Sequence, residues 1–585
     1  MSQSKLPDRA IGSKAPREGR FLWASLFDVI GAIMMLCSWL APNHYPPWTS
    51  FHSEASAFAA LIAFCAGLCI KNRGWLFSKT LFLFIGLICV IWLQWGMNQM
   101  NYFGDAIIGS IYLLGLAGAW WLGENCAQSK KGAKNSFIVF AALLTSAAAI
   151  SVLIALLQWL QMEDLWGIFA ANRGPDMRPF GNLGQPNHLA TLALMGIALS
   201  CALYVLQIVN KWQCCVLVAW LSWGLVMTES RTGLLSAFGI GAFVLWQFRQ
   251  LGKKAAGAVC VWLGLLVTLW SVWNHLNDML LLQPTRDVQI VQDVARITLW
   301  RQALVAIGQA PWLGYGWKQT AVAQKIGADA VGGSLATDYA HNVILDILLW
   351  FGIPVGISLL AIVGYWLVRA ARKVDSPMEV LLLAACLPVC VHSMLEFPFA
   401  YAYFLLSVGW MFALLNTIQR QSMMHGAAIR VPKPNFFWGV VGGLVAYTGL
   451  CAVVVDEYLN AEEDFRVMRF ELRHVGKAPA DYAPPKLRFL TQLRETLELG
   501  RMTPYPGMPE SEIQRLRIAS SSQGWIRLHV SYVMALGLNG QPEEATRQLK
   551  TLRALYGEHA YLQVSTYIRD LQKNQYPELK IIAMP

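Results

Sequence analysis

Charged residues are scarce in this chain. Only 14% of its 585 residues are Asp, Glu, Lys or Arg, whereas 56% are hydrophobic, and the mean hydropathy is +0.43. Soluble globular proteins carry about 25% charged residues, so the composition excludes that class. The apolar residues form windows of about 20, without the short apolar–polar alternation of an outer-membrane barrel. The sequence therefore predicts an all-α polytopic membrane protein surrounded by membrane lipids.

Several motifs are also lacking. None of the 12 cysteines falls in the polar C-terminal tail or in the loops assigned below to the outer side, so no structural disulfide is expected. No Cys/His spacing is typical of a metal site, and no Asp-x-Asp occurs that would hold a metal-bridged pyrophosphate. We therefore expect no metal and no cofactor.

Thirteen apolar runs are predicted to span the membrane. The first begins at Phe21 and is too long for a signal-peptide core, so we interpret it as a retained span. The predicted spans are 21–41, 53–70, 75–95, 104–122, 136–161, 187–209, 213–228, 232–248, 255–275, 342–368, 378–392, 399–417 and 435–455.

The basic residues alternate between the two sides. Lys and Arg cluster in every second loop and are absent from "APNHYPPWTSF", "GMNQMNYFG" and "HSMLEFPFA". By the positive-inside rule the basic N-terminus, 1–20, is cytoplasmic, and residues 456–585 lie outside. The tail has a net charge of +1 and the rest of the chain +10, which reflects topology and gives no sign of nucleic-acid binding.

Five polar stretches fall on the outer side of the predicted transmembrane domain, 21–455. They are the end of a loop at about 161–186 continuing as "RPFGNLGQPNHLAT", the short "ESRTG" turn, a long loop at about 275–341, "DYAHN" at its end, and "HSMLEFPFAYAY". Polar groups at membrane depth are costly unless they line a wet cavity. Their position on one face predicts a single site.

The side chains in these stretches suit phosphate binding and proton transfer. Four arginines are permanent cations with a fork suited to a diphosphate: Arg178, Arg231, Arg296 and Arg301. Three histidines can accept a proton near neutral pH: His188, His341 and His392. Glu229 and Glu396 are placed to orient a histidine or a nucleophile. Arginines that hold a diphosphate leaving group, with a histidine base for an attacking hydroxyl, fit this set.

Each of these residues also has a purely structural interpretation. Arg231 suits an interfacial anchor, and His341 suits a helix cap with Asn342. His188 suits a role in shaping the start of its helix, and Glu396 a tie between loops. Arg296 shares a helix face with Trp300, as on a surface-lying amphipathic helix, and i+5 turns Arg301 away from that face.

The motifs resemble a known family. "RITLWRQALVAIGQAPWLGYGW" (296–317), "SRTG" (230–233) and "AHNVILDILLWFGIPVG" (340–356) resemble the O-antigen ligase and polymerase superfamily. "RPFGNLGQPNHLAT" (178–191) and "HSMLEFPFAYAYFLL" (392–406) are similar to bacterial protein O-oligosaccharyltransferases that glycosylate type IV pilins, the PglL-like enzymes.

The resemblance implies an inner-membrane inverting transferase. Such an enzyme moves a glycan from an undecaprenyl diphosphate carrier to a Ser or Thr hydroxyl in the periplasm. The family's essential histidine matches His341, and its arginines match Arg231 and Arg296. The supporting site residues expected around them are Gln185, Asn187, His188, Glu229, Tyr339, Asn342 and Glu396. The glycines and prolines of 178–191 would form one wall of the donor site, with its side-chain amides on sugar or phosphate.

The tail, 456–585, has balanced charge and helical periodicity. "SYVMALGLNGQPEEATRQLKTLRALYGE" (531–558) resembles a tetratricopeptide helix pair with Gly540 at its turn. Helical surfaces of this kind bind polypeptide, so we predict that the tail binds a pilin-like acceptor; the alternative is an architectural cap.

Three other functions remain open. An O-antigen ligase and an O-antigen polymerase share the chemistry and differ in the acceptor, which is lipid A core or a second lipid-linked glycan. A transporter of lipid-linked saccharides belongs to another class, and it predicts internal repeats and polar residues at the membrane midplane.

Overall fold

The protein is helical throughout the part that the structure describes. The computed structural model covers residues 15–71, 74–174, 177–282, 287–333, 336–423, 437–476 and 482–584; side chains are described from residue 22 onward, except at 287–294 and 581. No β-strand occurs in these ranges. Most of the predicted cytoplasmic N-terminus, residues 1–14, lies outside the described residues.

The described residues form twenty α-helices in sequence. They are α1 Ala15–Leu40, α2 Phe51–Lys71, α3 Thr80–Gly96, α4 Phe103–Cys126, α5 Lys130–Trp159, α6 Pro186–Val205, α7 Lys211–Met227, α8 Arg231–Trp246, α9 Phe248–Leu251, α10 Lys253–Met279, α11 Asp287–Gln309, α12 Thr320–Ala328, α13 Val343–Arg372, α14 Pro377–His392, α15 Ala402–Met423, α16 Phe437–Leu472, α17 Thr491–Arg501, α18 Glu510–Ser522, α19 Ile526–Leu538 and α20 Pro542–Asn574. Short 3₁₀ turns lie at Glu163–Phe169, Pro398–Ala400 and Pro577–Ile581.

The chain is a multi-pass membrane protein, as predicted. Among the described residues, 9 helices are long and apolar enough to cross a bilayer: Leu22–Leu40 of α1, and α2, α4, α5, α6, α10, α13, α15 and α16. Four shorter apolar helices, α3, α7, α8 and α14, coincide with predicted spans. They have 16 or 17 residues, slightly fewer than the ~20 that a full crossing needs. The count of thirteen spans stays a prediction.

The core of the membrane region surrounds α6. This helix packs against α5, α7, α8 and α14, and 17 of its 20 residues are buried. In contrast, α10 and the first half of α16 expose most of their apolar residues, as helices that face lipid do. The segment at 178–191 therefore leads directly into the most deeply buried of the membrane helices in the described residues.

A break in α13 fixes α11 relative to the start of α13. The backbone leaves the helix at Gly352, which has a φ of 73°, and Pro354 follows. Three backbone hydrogen bonds of 2.7, 3.2 and 2.7 Å satisfy the freed groups, from Tyr315 to Leu349, from Gly316 to Trp350 and from Ile353 to Pro311. A Cβ at Gly352 would lie 2.5 Å from the Trp312 carbonyl oxygen, so only glycine permits this approach. The sequence predicted one uninterrupted span here.

The tail begins as a continuation of a membrane helix. Helix α16 runs without a break through the predicted boundary at residue 456. Its Glu457 carboxylate accepts hydrogen bonds from the backbone of Arg488, Phe489 and Leu490, at 2.7 to 3.1 Å, just before α17. Helices α18 to α20 enclose a separate apolar core. The predicted helix pair is present as α19 and the start of α20, with Gly540 in the turn at a φ of 76°, whereas its tetratricopeptide character stays a prediction.

The tail also packs on the long outer loop. Thr551 Oγ1 donates to Asp329 Oδ1 at 2.9 Å, and the Gly333 amide donates to the Ala554 carbonyl at 3.0 Å. The Lys325 ammonium lies 5.7 Å from the centre of the Tyr532 ring. Helix α20 therefore holds the segment that leads from α12 toward His341.

Candidate active site

The segment at 178–191 is held rigidly by two buried amides. Gln158 accepts from the backbone of Phe180 and Gly181 (3.0 and 2.8 Å) and donates to the Gly181 carbonyl (2.7 Å). Asn182 donates to the carbonyls of Leu40 and Phe169, both at 2.8 Å. Asn182 is only 1% exposed, so the expectation that its amide contacts a ligand is wrong. Buried backbone groups need such partners, and Asn182 supplies them.

Arg178 joins this segment to the turn between α7 and α8. Its Nη1 donates to the carbonyls of Thr228 and Glu229, each at 3.0 Å. Burial lowers the pKa of the Arg178 guanidinium, partly offset by the nearby Glu229 and Glu396 carboxylates. Glu229 in turn accepts a hydrogen bond from Trp273 Nε1 at 3.3 Å. Arg178 therefore has a structural role, and it lies within the electrostatic range of the other site arginines.

Ser230 connects the starts of α6 and α8. Its hydroxyl donates to Asn187 Oδ1 at 2.7 Å and accepts from the Gly233 amide at 2.9 Å, which makes Ser230 the N-cap of α8. The side chain of Ser230 is fully buried. Two helix N-termini are thus locked side by side.

Replacing Ser230 by alanine should reduce stability by about 1–2 kcal/mol, because one change removes a helix cap and leaves the buried Asn187 amide oxygen without its donor. Thermal unfolding of the detergent-solubilised protein measures this. Ser271→Ala, on exposed α10, is the matched control, since its hydroxyl bonds only within its own helix. Equal melting temperatures for Ser230→Ala and wild type would contradict the assigned role.

Glu396 lies at the centre of the site. Its carboxylate pairs with Arg296 Nη2, and its Oε2 lies 2.8 Å from His341 Nδ1. The amides of Gln185 and Asn187 lie 3.5 and 3.4 Å from the same carboxylate. Five predicted site residues from four separate stretches of sequence therefore meet at one point.

The charge of Glu396 is stabilised where it lies. Burial alone would raise the pKa of this carboxyl, but its contact with His341 and the charges of His341 and Arg296 lower the pKa to about 2. The residue is 2% exposed. A buried carboxylate that is ionised across the neutral range can orient a histidine, but it is too weak a base to take a proton from a hydroxyl.

His341 is placed by its neighbours in the chain. Its φ of 53° is unusual for a residue with a side chain. On one side, the buried Asp346 carboxylate accepts from the Ala340 amide at 2.8 Å, and Trp300 Nε1 donates to the Ala340 carbonyl at 3.0 Å. On the other side, Asn342 caps α13 through the amides of Ile344 and Leu345. The imidazole is 23% exposed and so remains within reach of a substrate.

Aromatic rings form the floor beside His341. Tyr339 stacks on Phe397 with ring centres 4.7 Å apart, and the His341 imidazole meets the edge of Phe397 at 4.9 Å. The side-chain amide of Asn342 donates to the Met394 carbonyl at 3.1 Å, and the backbone amide of Val343 donates to the Ser393 carbonyl at 2.9 Å. These two hydrogen bonds hold the "DYAHN" and "HSMLEFPFA" stretches side by side.

The remaining predicted residues lie around this centre. Arg231 is exposed at the first position of α8, and Arg301 is exposed on α11, on a different side from Arg296. His188 and His392 are buried behind the site, where His392 Nδ1 lies 2.8 Å from Thr191 Oγ1. His188 Nδ1 lies 3.3 Å from the Tyr403 hydroxyl. Neither histidine reaches the surface that Glu396 and His341 share.

The arrangement is suited to an anion. Helices α6, α8 and α13 all begin here, linked through Ser230, Asn187, Glu396 and His341. Helix N-termini carry partial positive charge, and the arginines add full charges. Sequence reasoning missed Gln158, because it lies inside a predicted span, and it gave Phe397 no role although the stretch around Phe397 was assigned to the site.

Three family profiles match the chain. The family described as "O-Antigen ligase" matches residues 216–361, which contain Arg231, Arg296 and His341. "Virulence factor membrane-bound polymerase, C-terminal" matches 380–568, which include Glu396 and most of the tail. "Protein glycosylation ligase" matches 179–204, the rigid segment with α6.

Curated relatives extend the similarity over nearly the whole chain. The general O-oligosaccharyltransferase of Acinetobacter baylyi is 25% identical over 564 residues, 92% of this chain and 94% of the relative. The predicted resemblance to the protein O-oligosaccharyltransferases is confirmed. A second O-oligosaccharyltransferase of that organism, named ComP-specific, is 26% identical over 394 residues, 66% of this chain and 71% of the relative. No solved structure matches.

Proposed function

We propose that the protein transfers a glycan en bloc from an undecaprenyl-diphosphate-linked donor to a Ser or Thr hydroxyl of a periplasmic, type IV pilin-like protein. The observation that carries this proposal is the set of contacts joining Arg296, Glu396 and His341. They bring a cation, an ionised carboxylate and a partly exposed imidazole together at a face where three helices begin.

His341 acts as the general base. His341 Nδ1 lies 2.8 Å from the Glu396 carboxylate. That carboxylate favours a proton on Nδ1, which leaves Nε2 free to accept one, because the partner of one ring nitrogen sets the tautomer. In other enzymes, too, a third group orients the general base that activates the nucleophile. Glu396 is a positioning residue, since it acts through His341.

The donor diphosphate binds beside this base. Arg231 and Arg296 supply the positive charge that contacts the diphosphate, and Arg178 adds charge from behind the site. The starts of α6, α8 and α13 add partial positive charge. Arg301, which the sequence also suggested, lies on another side of α11 and receives no role here. Although Arg296 pairs with Glu396, its guanidinium has five N–H donors and the side chain is 23% exposed. Because arginines neutralise the leaving group and the chain has no Asp-x-Asp motif, the reaction is proposed to need neither metal nor cofactor.

The chemical step is a single displacement. The acceptor hydroxyl oxygen attacks the anomeric carbon as its proton moves to His341 Nε2. The bond between that carbon and the phosphate oxygen breaks, and undecaprenyl diphosphate leaves with the electron pair. Attack opposite the leaving group inverts the anomeric centre.

The proposed location is the bacterial inner membrane. The basic loops argue for a cytoplasmic N-terminus, with the site and residues 456–585 on the periplasmic side. The helices that begin at the site, α6, α8 and α13, all enter the membrane from that one side. Polar groups gathered at one face argue against a transporter, whose polar residues lie near the midplane.

A reconstitution experiment tests the function. The purified protein in liposomes receives a labelled undecaprenyl-diphosphate oligosaccharide together with pilin, lipid A core or a second lipid-linked glycan. We expect label on pilin alone. Label on lipid A core or on the second glycan would indicate a ligase or a polymerase, and movement of intact donor across the bilayer without transfer would indicate a transporter. The names of the relatives favour a protein acceptor.

A further inference from the structure

A cleft of about 760 Å³ lies outside the membrane, between the end of α16 and the start of α19. Four of the residues that line this cleft are arginines, and none is acidic. We call it the arginine cleft and use six of its residues: Tyr45, Arg466, Arg469, Arg473, Trp525 and Arg527. The Arg469 guanidinium lies 5.7 Å from the centre of the Tyr45 ring.

Two carboxylates of α16 and two of its arginines lie on different faces of the helix. The Asp464 and Glu471 carboxylates turn toward α17, where both pair with Arg501 at 2.8 Å. The exposed Arg469 and Arg473 lie on the cleft side instead. Arg466 pairs with Glu463 one turn before it, and in the described part of the chain no ion pair joins Arg469 or Arg473 to a carboxylate. The cleft therefore presents excess positive charge.

Both walls of the arginine cleft continue into the active site. On one side, Tyr45 follows His44, whose Nε2 lies 3.1 Å from the Asn182 carbonyl of the rigid segment. On the other side, Trp525 follows Gly524, and a Cβ at Gly524 would lie 4.0 Å from the side chain of Ala336. Ala336 precedes His341 by five residues. A chain bound in the cleft is thus adjacent to the loops that form the site.

Measured along α16, the cleft lies beyond the predicted end of the membrane span. Tyr458 of α16 bonds to the backbone of Trp48, just before α2 enters the membrane. Arg469 follows Tyr458 by 11 residues, or about 16 Å along the helix at ~1.5 Å per residue. The headgroup layer adds only about 5–8 Å to each side of the hydrocarbon core. The position favours a polypeptide over a phospholipid.

The lining also favours a polypeptide over a sugar. Sugar hydroxyls are bound by carboxylate and amide side chains, which both donate and accept or accept in pairs, and the arginine cleft has neither type. Arginine forks match carboxylates, and the rings of Tyr45, Phe465 and Trp525 provide apolar surface.

We propose that the arginine cleft binds an acidic segment of the acceptor polypeptide, in which Asp or Glu residues alternate with large apolar ones. This inference rests on the proposed function, since it gives the transferase a way to select its acceptor. The cleft acts in docking, and its residues take no part in the chemical step.

Peptide binding tests the docking separately from transfer. The full-length protein in neutral phosphatidylcholine nanodiscs is titrated with a fluorescent peptide in which Asp and Glu alternate with Leu and Phe, and with a second peptide in which Lys replaces each acid. Anisotropy gives the Kd. We expect the wild type to prefer the acidic peptide, and Arg469→Glu/Arg473→Glu to raise its Kd about tenfold. The matched control is Arg569→Glu, a charge reversal on exposed α20 outside the cleft, which should change nothing.

Transfer to pilin is measured on the same samples. Loss of acidic-peptide binding with normal folding, and a raised KM for pilin at unchanged kcat, would support the docking site. An unchanged Kd in the double variant, or no preference for the acidic peptide in the wild type, would overturn it. Acidic-peptide binding that disappears when phosphatidylglycerol enters the nanodiscs would assign the cleft to lipid instead. Normal peptide binding without any glycan transfer by the wild type would instead count against the proposed function.

Discussion

Replacing His341 by alanine should lower the rate of glycan transfer by about 10²–10⁴-fold, the usual contribution of a positioned general base. The imidazole is 23% exposed and its Nδ1 lies 2.8 Å from Glu396, so no other described histidine is placed to take over. His188 and His392 are 1% and 0% exposed, behind the site. The measurement is initial transfer rate in liposomes with labelled donor and excess acceptor.

Two controls make the result specific. His559→Ala removes a histidine that is exposed on α20 and hydrogen-bonds to Gln563, and it should retain the wild-type rate. Donor binding by His341→Ala should also be retained, because the proposed function assigns the diphosphate to the arginines and helix N-termini. A wild-type transfer rate in His341→Ala would rule out the base assignment, and loss of donor binding would move His341 to the diphosphate site.

Replacing Glu396 by glutamine should have the second largest effect, a fall in kcat of about 10²–10³-fold. An analogous loss of the orienting carboxylate in a catalytic triad costs about 10⁴-fold through the wrong tautomer, and here His341 also keeps its backbone supports. Glutamine is nearly isosteric but presents no charge to Arg296. We expect kcat to fall much more than KM for the donor changes.

Glu379→Gln is the matched control for burial. Glu379 is 3% exposed, against 2% for Glu396, and its carboxylate accepts from Ser376 at the N-terminus of α14, at the other end of that helix. Removing one partner of a buried ion pair costs about 3–5 kcal/mol, so the melting temperature of Glu396→Gln must be measured beside its rate. A stable Glu396→Gln protein with wild-type kcat would contradict the positioning role.

The membrane helices could be predicted because the apolar run itself determines them. Each predicted span coincides with a helix, and most boundaries agree within a few residues. The break in α13 could not be predicted in the same way. Gly352 and Pro354 are tolerated in a span only because the backbone at 311–316 supplies the missing hydrogen bonds, and that partner is far away in sequence.

The sequence was enough to predict which residues belong to the site, but it did not predict how those residues are arranged. Charge alternation places the polar stretches on one side, which is enough to group Arg178, Arg296, His341 and Glu396. It gives no distances between them, so the central position of Glu396 emerged only from the fold. In the same way, the amides of "RPFGNLGQPNHLAT" look alike in sequence, yet Asn182 supports the backbone while Gln185 and Asn187 face Glu396.

The unbroken course of α16 has a consequence for acceptor choice. The apolar start of the helix and Arg469 and Arg473 lie on one continuous helix. The helix therefore fixes the distance of the arginine cleft from the membrane and from His341. If the cleft binds the acceptor as proposed, an acceptor anchored there offers its hydroxyl at a matching number of residues along its chain. The proposal then implies selection by spacing, without a fixed consensus around the modified residue.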